Sequence, residues 1–327
     1  MTRLGYSLGL LSAGTVMLRA ASVTEPTFYF GMCDASGGVA LDATHFAVAN
    51  DEDNPIRIYR ADQGGLPLQT FDFSRTLHID VYKPEMDLEG ACWLGDKIFW
   101  ISSHGRNKDG ELRPSRQILF ATTCTKAATG FDMKVAGRSY RTLLADLTTD
   151  PRFRSLHLDE ASRLAPKMPG ALNIEGLCAT PDHKLLIAFR NPLPQSKALL
   201  IPLENPEQVI AGQRGKFGEP ILLALGGLGI RDIAFWKNQY LIIGGAIDAQ
   251  FKSALFLWDG DRGSQPKRLD WLNVEHFNPE ALIVYEGRDT AFQVLSDDGT
   301  RRIGTGSCKH LHDPTQRRFR SVWVQTQ

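Results

Sequence analysis

The segment Asn173-Ile174-Glu175-Gly176-Leu177-Cys178 returns upstream as Asp87-Leu88-Glu89-Gly90-Ala91-Cys92, with the Glu-Gly pair and the cysteine in the same places. Weaker copies begin at Asp34-Ala35-Ser36-Gly37, Ile230-Arg231-Asp232-Ile233 and Asn278-Pro279-Glu280-Ala281. With Ser36, Glu89, Glu175, Asp232 and Glu280 taken as equivalent, the steps are roughly 53, 86, 57 and 48 residues, a period that marks propellers or solenoids. A chain built this way must stack similar units, and its chemistry falls where the copies converge.

The runs between copies are short, apolar or alternating, and bounded by Gly, Asp, Asn and Pro, which is the signature of strands. Gly38–Asp42, His45–Ala49, Pro55–Tyr59 and Pro67–Phe73 give one unit of four strands, as in a propeller blade. Gly90–Leu94, Lys97–Ser102, Arg116–Ala121 and Ser139–Ala145 repeat the plan. The long step that follows contains Phe153, Leu156, Leu158, Ala161 and Leu164 at near-helical spacing, so a helical insertion is expected at about 151–167. Three further units follow, and the last, with Ala281–Tyr285, Ala291–Leu295 and Phe319–Val324, lacks one strand. The expectation is an all-β, five-bladed propeller. A sixth blade would have to hide in the inserted region.

Residues 1–25 are read as a leader or as the missing strand, and 26–327 as one propeller domain. Met1-Thr2-Arg3, a mildly apolar run and Arg19-Ala20-Ala21-Ser22 have the parts of a secretory signal. Five glycines and serines dilute that run, and Val16–Val23 would serve as the closing strand that removes a sheet edge. This tilts the reading toward a cytoplasmic chain over a periplasmic or secreted one. Five cysteines, an odd number without a Cys-x-x-Cys pair, are expected to be mostly reduced and buried. Lys plus Arg equals Asp plus Glu at 37 each, which argues against nucleic acid as a partner. No stable membrane insertion is expected, and the expected partner is a small-molecule substrate or ligand.

Inner strands line a propeller's channel, so the repeat should gather Asp34, Glu89, Glu175, Asp232 and Glu280 near the axis. The ends of the second strands bring a second polar set to the same face. These are Asp51 within Asn50-Asp51-Glu52-Asp53-Asn54, His104, Arg106 and Asn107, Arg190 and Asn191, and Asp297. Clustered carboxylates suit a hard divalent cation, with calcium favoured. The expected metal set is Asp34, Asp51, Glu89, Glu175, Asp232, Glu280 and Asp297. Arg106, Arg190, Arg231, Asn107 and Asn191 would bind an anionic substrate, and His104, Glu89 and Glu175 would do the catalytic proton work. Ser296-Asp297-Asp298-Gly299-Thr300 also looks like an Asp box, an architectural turn. Cys92 and Cys178 read as core.

Gly31-Met32-Cys33-Asp34-Ala35-Ser36, Asp51-Glu52-Asp53-Asn54, Ser103-His104-Gly105-Arg106-Asn107, Asn173-Ile174-Glu175-Gly176-Leu177, Phe189-Arg190-Asn191-Pro192 and Ser296-Asp297-Asp298-Gly299 resemble the bacterial family called domain of unknown function 3616. The resemblance runs from about Phe30 to Phe319. It implies a propeller-like fold, distantly similar to esterase-like phytase and calcium-dependent phosphohydrolase propellers. It carries no catalytic residue over, and the basic cluster of a dedicated phytase is missing. The leading expectation is a metal-dependent hydrolase of an ester or phosphoester. A glycoside hydrolase with paired carboxylates and a non-catalytic small-ligand or sugar-binding propeller are the alternatives, the last with Trp93, Trp100, Trp236, Trp258 and Trp271 as platforms.

Overall fold

The computed structural model describes residues 20–247, 252–269 and 276–326. Five antiparallel sheets follow one another along the chain. The first blade comprises Gly38–Asp42, His45–Val48, Ile56–Arg60 and Gln69–Phe71. The second comprises Leu88–Leu94, Lys97–Ser102, Leu119–Lys126 and Phe131–Tyr140. Asn173–Ala179, Leu185–Asn191, Ala198–Leu203 and Ile221–Leu223 make the third. Gly229–Trp236, Gln239–Gly245, Ser253–Trp258 and Lys267–Leu269 make the fourth. The protein is a five-bladed β-propeller.

The fifth blade closes the ring. Pro279–Ile283, Ala291–Ser296 and Arg318–Thr326 form its inner strands, and both Ala20–Val23 and Thr27–Phe30 pair antiparallel with Arg318–Thr326. The missing strand is therefore supplied by the other end of the chain. The part of Val16–Val23 before Ala20, with the rest of the signal-like run, lies outside the described residues.

Five apolar clusters fill the five gaps between neighbouring blades. Alternation makes this possible, because each strand sends alternate side chains to opposite faces of its sheet. Phe99, Ile101 and Leu119 of the second blade thus meet Leu177, Ile187 and Leu199 of the third. Each such side chain contributes about 1.5–3 kcal/mol on burial. Two-residue turns help fix the register. Lys237 and Asn238 join Trp236 to Gln239 with both φ positive (51° and 59°), the hairpin geometry whose twist matches its strands.

The insertion departs from the expectation in detail. The fourth strand of the second blade is Phe131–Tyr140, and a helix over Leu143–Thr149 occupies part of the segment read as the strand Ser139–Ala145. Leu143 and Leu147, one helical turn apart, point into the cluster between the second and third blades. A 3-10 turn over Pro151–Leu156 and a short helix over Leu158–Ala161 add Phe153, Leu156, Leu158 and Ala161 to it. The expected helical face is real, but it is broken into short pieces.

Cys33 and Cys308 form a disulfide with Cα atoms 5.9 Å apart, 275 residues apart in sequence. This corrects the expectation of reduced cysteines for that pair, because ring closure brings together two residues that spacing could not relate. Cys92, Cys124 and Cys178 are free thiols.

Candidate functional site

The repeat places its charges through a backbone irregularity. In the second blade Leu88 pairs with Ser102 and Gly90 with Ile101, leaving Glu89 unopposed. Ile174 and Gly176 pair with Phe189 and Ala188 around Glu175, and Pro279 and Ala281 pair with Ser296 and Leu295 around Glu280. In the fourth blade Ile230 and Asp232 pair with Gly244 and Ile243, so the residue left over is Arg231. Each is a β-bulge, which re-aims one side chain and often borders functional sites. In the first blade Ser36 and Gly37 bracket Ala49 in the same way through backbone hydrogen bonds.

The fourth copy of the motif is thus shifted by one residue. Arg231, not Asp232, is the counterpart of Glu89, Glu175 and Glu280. Asp232 falls in the column of Gly90, Gly176 and Ala281, where blades touch: a Cβ on Gly37 or Gly90 would lie 2.8 Å from backbone atoms of the next blade. Its carboxylate accepts from the amides of Ile233 (2.8 Å) and Leu282 (2.7 Å) and joins the fourth blade to the fifth. Burial holds its pKa well above the usual carboxylate range. Further along the same inner strands it lines a cavity of about 280 Å³ with Cys92 and Cys178, beyond the mouth. Asp232 therefore leaves the expected metal set. Ser36 is also structural, since its hydroxyl donates to the Leu88 carbonyl of the second blade.

Most acids at the mouth already own a cation. Arg190 Nη1 meets Glu175 Oε1 at 2.6 Å while its Nε and Nη2 donate to the Ala246 carbonyl. Arg231 pairs with Glu280. Arg116 bridges Asp87, at 2.7 Å, and Glu85. Arg57 takes Asp53, and Arg320 takes Asp298. The last pair, with Ser296 Oγ donating to Asp298, is the architectural part of the Asp box. Asp297 next to it pairs with Asp34 through an isolated antiparallel bridge and a side-chain hydrogen bond.

Asp34, Asp51 and Glu52 stand apart. One oxygen from each lies within 4.8 Å of the others, and no arginine among the described residues pairs with them. Lys309 holds Glu52 at 2.6 Å. Oδ1 of Asp51 is buried without a hydrogen-bond partner. The electrostatic consequence is large. Burial first, then Asp51, Asp297 and Glu52, push Asp34 up to about 11. Burial, Asp297, Asp87 and Glu52 likewise hold Asp51 well above its usual value against Lys309. Asp297 is drawn down: burial opposes this, but the hydrogen bond from Asp34, the Gly299 amide, Arg231 and Lys309 outweigh it. Asp34 and Asp51 thus hold protons because the positive charge beside them does not balance their burial and their acidic neighbours.

Glu89 lies among Asp87, Glu175, Asp51 and Arg190. Burial and the three acids raise its pKa well above the usual range. Asp87 is raised to about 6 by burial, with Arg116 and Ser103 pulling the other way.

The structure gives other expected residues different surroundings. Arg106 donates to the carbonyls of Ser162 and Gly110, tying its loop to the insertion. Asn107 folds its own loop by bonding Glu111 and Asp109. Asn191 anchors the insertion through the Met168 carbonyl. His104 is buried, its Nδ1 engaged by the Ser102 carbonyl and its Nε2 without a partner, and burial lowers its pKa to about 4. It is neutral near pH 7. Trp100, Trp236 and Trp258 are buried in the core, Trp93 donates to the Ala40 carbonyl, and Trp271 lies outside the described residues. The residues that went unread are Arg116, Lys309 and, as a metal ligand, Glu52, and for Lys309 its place beside Cys308 becomes a signal only once the disulfide is known.

A model for the family described as "Protein of unknown function (DUF3616)" matches residues 120–291. Comparison with curated proteins returned no match. Among solved structures, a glutaminyl cyclase from Myxococcus xanthus aligns with a TM-score of 0.51 at 11% identity, covering 94% of this chain and 97% of that one. A PQQ-bound aldose sugar dehydrogenase from Streptomyces coelicolor aligns at 0.45 and 11% identity, with 93% and 99% coverage. A calcium-binding regucalcin from Agrobacterium tumefaciens aligns at 0.42 and 9%, with 90% and 91% coverage. At these identities the likeness is one of fold. No helix among the described residues is long and apolar enough to cross a membrane.

Proposed function

For this chain, which belongs to the DUF3616 family of proteins of unknown function, we propose a metal-dependent hydrolase of small anionic esters or phosphoesters working at the mouth of the propeller. The supporting observation is the trio Asp34, Asp51 and Glu52, clustered acids without a guanidinium partner beside Glu175, Glu280 and Asp87, which each have one. The unpartnered Oδ1 of Asp51 is the atom most in need of a ligand. An all-oxygen set with carboxylates suits a hard cation, and calcium, which accepts six to eight oxygens in flexible geometry, fits best. Asp297 stands behind the trio as a further carboxylate.

A bound divalent cation would polarise an ester or phosphoryl oxygen and ease ionisation of a water. The chain's own groups do the rest. Arg190, held at the mouth by Glu175, would meet the substrate's anionic end together with the cation. Glu89, kept protonated by burial and its acidic neighbours, donates a proton to the leaving oxygen, as a general acid with a raised pKa does. The test is thermal unfolding with calcium against chelator. Calcium should raise Tm in the wild type, Asp51→Asn should lose most of that shift, and calcium-dependent hydrolysis of 4-nitrophenyl phosphate or acetate should fall with it. An equal shift in both proteins refutes the reading.

A second reading rests on the nearness of Glu89 and Glu175. One is held protonated and the other is ion-paired with Arg190, and such an unequal pair is what glycoside hydrolysis requires. Turnover of 4-nitrophenyl glycosides in chelator, abolished by Glu175→Gln, would select it. For the compartment, the Cys33–Cys308 disulfide supports an oxidising location over the cytoplasm, and three titratable thiols in the denatured, unreduced protein would bear this out.

A further inference from the structure

Beside the mouth lies a cavity of about 630 Å³, within the span of sites that enclose a small organic ligand. Leu156, Pro192, Leu193, Pro194, Leu222 and Ile247 form its apolar part, Ser155, His157, Gln195 and Ser196 add polar groups, and no Asp, Glu, Lys or Arg is among its lining residues. The prolines have fixed φ, so that wall is pre-shaped. Asn191 also lines the cavity and is 1% exposed. Its Nδ2 is engaged by the Met168 carbonyl at 2.9 Å, but its Oδ1 is buried with no hydrogen-bond partner. Leaving a buried acceptor unsatisfied is costly, so such an atom marks a place where a donor belongs.

The cavity lining is joined to the mouth at two neighbouring positions of the chain. Arg190, which reaches Glu175, immediately precedes Asn191. The Ala246 carbonyl that receives the Arg190 guanidinium immediately precedes Ile247. One molecule can therefore present a charged end to Arg190 and an uncharged body to the cavity.

We propose that this cavity binds the neutral, largely apolar portion of the substrate, and that Asn191 Oδ1 accepts a hydrogen bond from a hydroxyl or amide N–H on that portion. A charged body would find no Asp, Glu, Lys or Arg in the lining to compensate its desolvation. The role as a substrate pocket rests on the hydrolytic reading of the mouth, whereas binding itself does not. In methyl-labelled protein, 1-naphthol should shift the Leu156, Leu193, Leu222 and Ile247 methyl resonances saturably. It should bind at least tenfold tighter than 1-methoxynaphthalene, which lacks the donor. Leu193→Trp should abolish binding and leave the calcium-induced Tm shift intact. Equal affinity for the two probes, or unchanged binding by Leu193→Trp, overturns the proposal, and the first comparison needs no variant. Binding of 1-naphthol to a protein that neither responds to calcium nor hydrolyses 1-naphthyl phosphate would sink the reading of the mouth and leave the binding cavity standing. Hydrolysis with no naphthol binding would do the reverse.

Discussion

Arg231 of the fourth blade occupies the bulge position that Glu280 occupies in the fifth, and the two side chains pair across the gap. The cation in this column of acids thus neutralises its neighbour. Both are nearly buried, and taking away one partner strands a charge away from water. Arg231→Ala should lower stability by about 3–5 kcal/mol in urea unfolding, and adding Glu280→Gln should restore a sizeable part. If the double variant is as unstable as the two single losses summed, the pair is not coupled.

The acid trio gives the mouth a particular pH behaviour. Asp34 and Asp51 have folded pKa values raised above their unfolded ones, as does Asp87 at about 6. Between the unfolded value of about 4 and the folded value, the native state holds a proton that the unfolded chain has released, so stability falls as pH rises. In chelator, Tm should decline from pH 5 to pH 8. Calcium must displace these protons, so its stabilising shift should grow over the same range. A calcium shift independent of pH would contradict the assignment of those carboxyls as ligands.

Asp232 separates scaffold from site. Asp232→Ala removes the acceptor for two amides, one on the next blade, and should cost about 1–3 kcal/mol. Its calcium response should equal that of the wild type when the two Tm shifts are compared, because the carboxylate belongs to the joint between blades.

Each half-cystine is followed directly by a residue of the acidic cluster, Cys33 by Asp34 and Cys308 by Lys309. The Asp298 amide bonds the Cys33 carbonyl, and the Lys309 amide bonds the Gly299 carbonyl. Cys33→Ser with Cys308→Ser should cost about 2–5 kcal/mol in unfolding and should also weaken the calcium shift. An undiminished shift would mean that the trio is held without the disulfide.

Much of this was legible from the chain. Blade number followed from five copies of one motif, and the closing strand from a last unit one strand short. Glu89, Glu175 and Glu280 could be read as a set because each precedes a small residue that the crowded axis requires. The fourth copy misled for a physical reason: Asp232 looks like its acidic counterparts, but whether a carboxylate lies at the bulge or one residue beyond it depends on strand register, which the letters do not carry. Arg106 and Asn107 have the chemistry of a substrate clamp, and only the fold shows their donors engaged by the insertion and their own loop. The neutral state of His104 is likewise set by burial rather than by sequence. The Cys33–Cys308 pairing depends on closure of the whole circle.

The disulfide also fixes how the molecule bears mechanical load. Ala20–Val23 and Thr27–Phe30 precede Cys33, and Arg318–Thr326 follows Cys308. Tension applied to the two tails would peel these strands from the fifth blade and then stop at a covalent bond. The first four blades and the inner hairpin of the fifth would stay inside a loop that force on the ends cannot lengthen until sulfur is reduced.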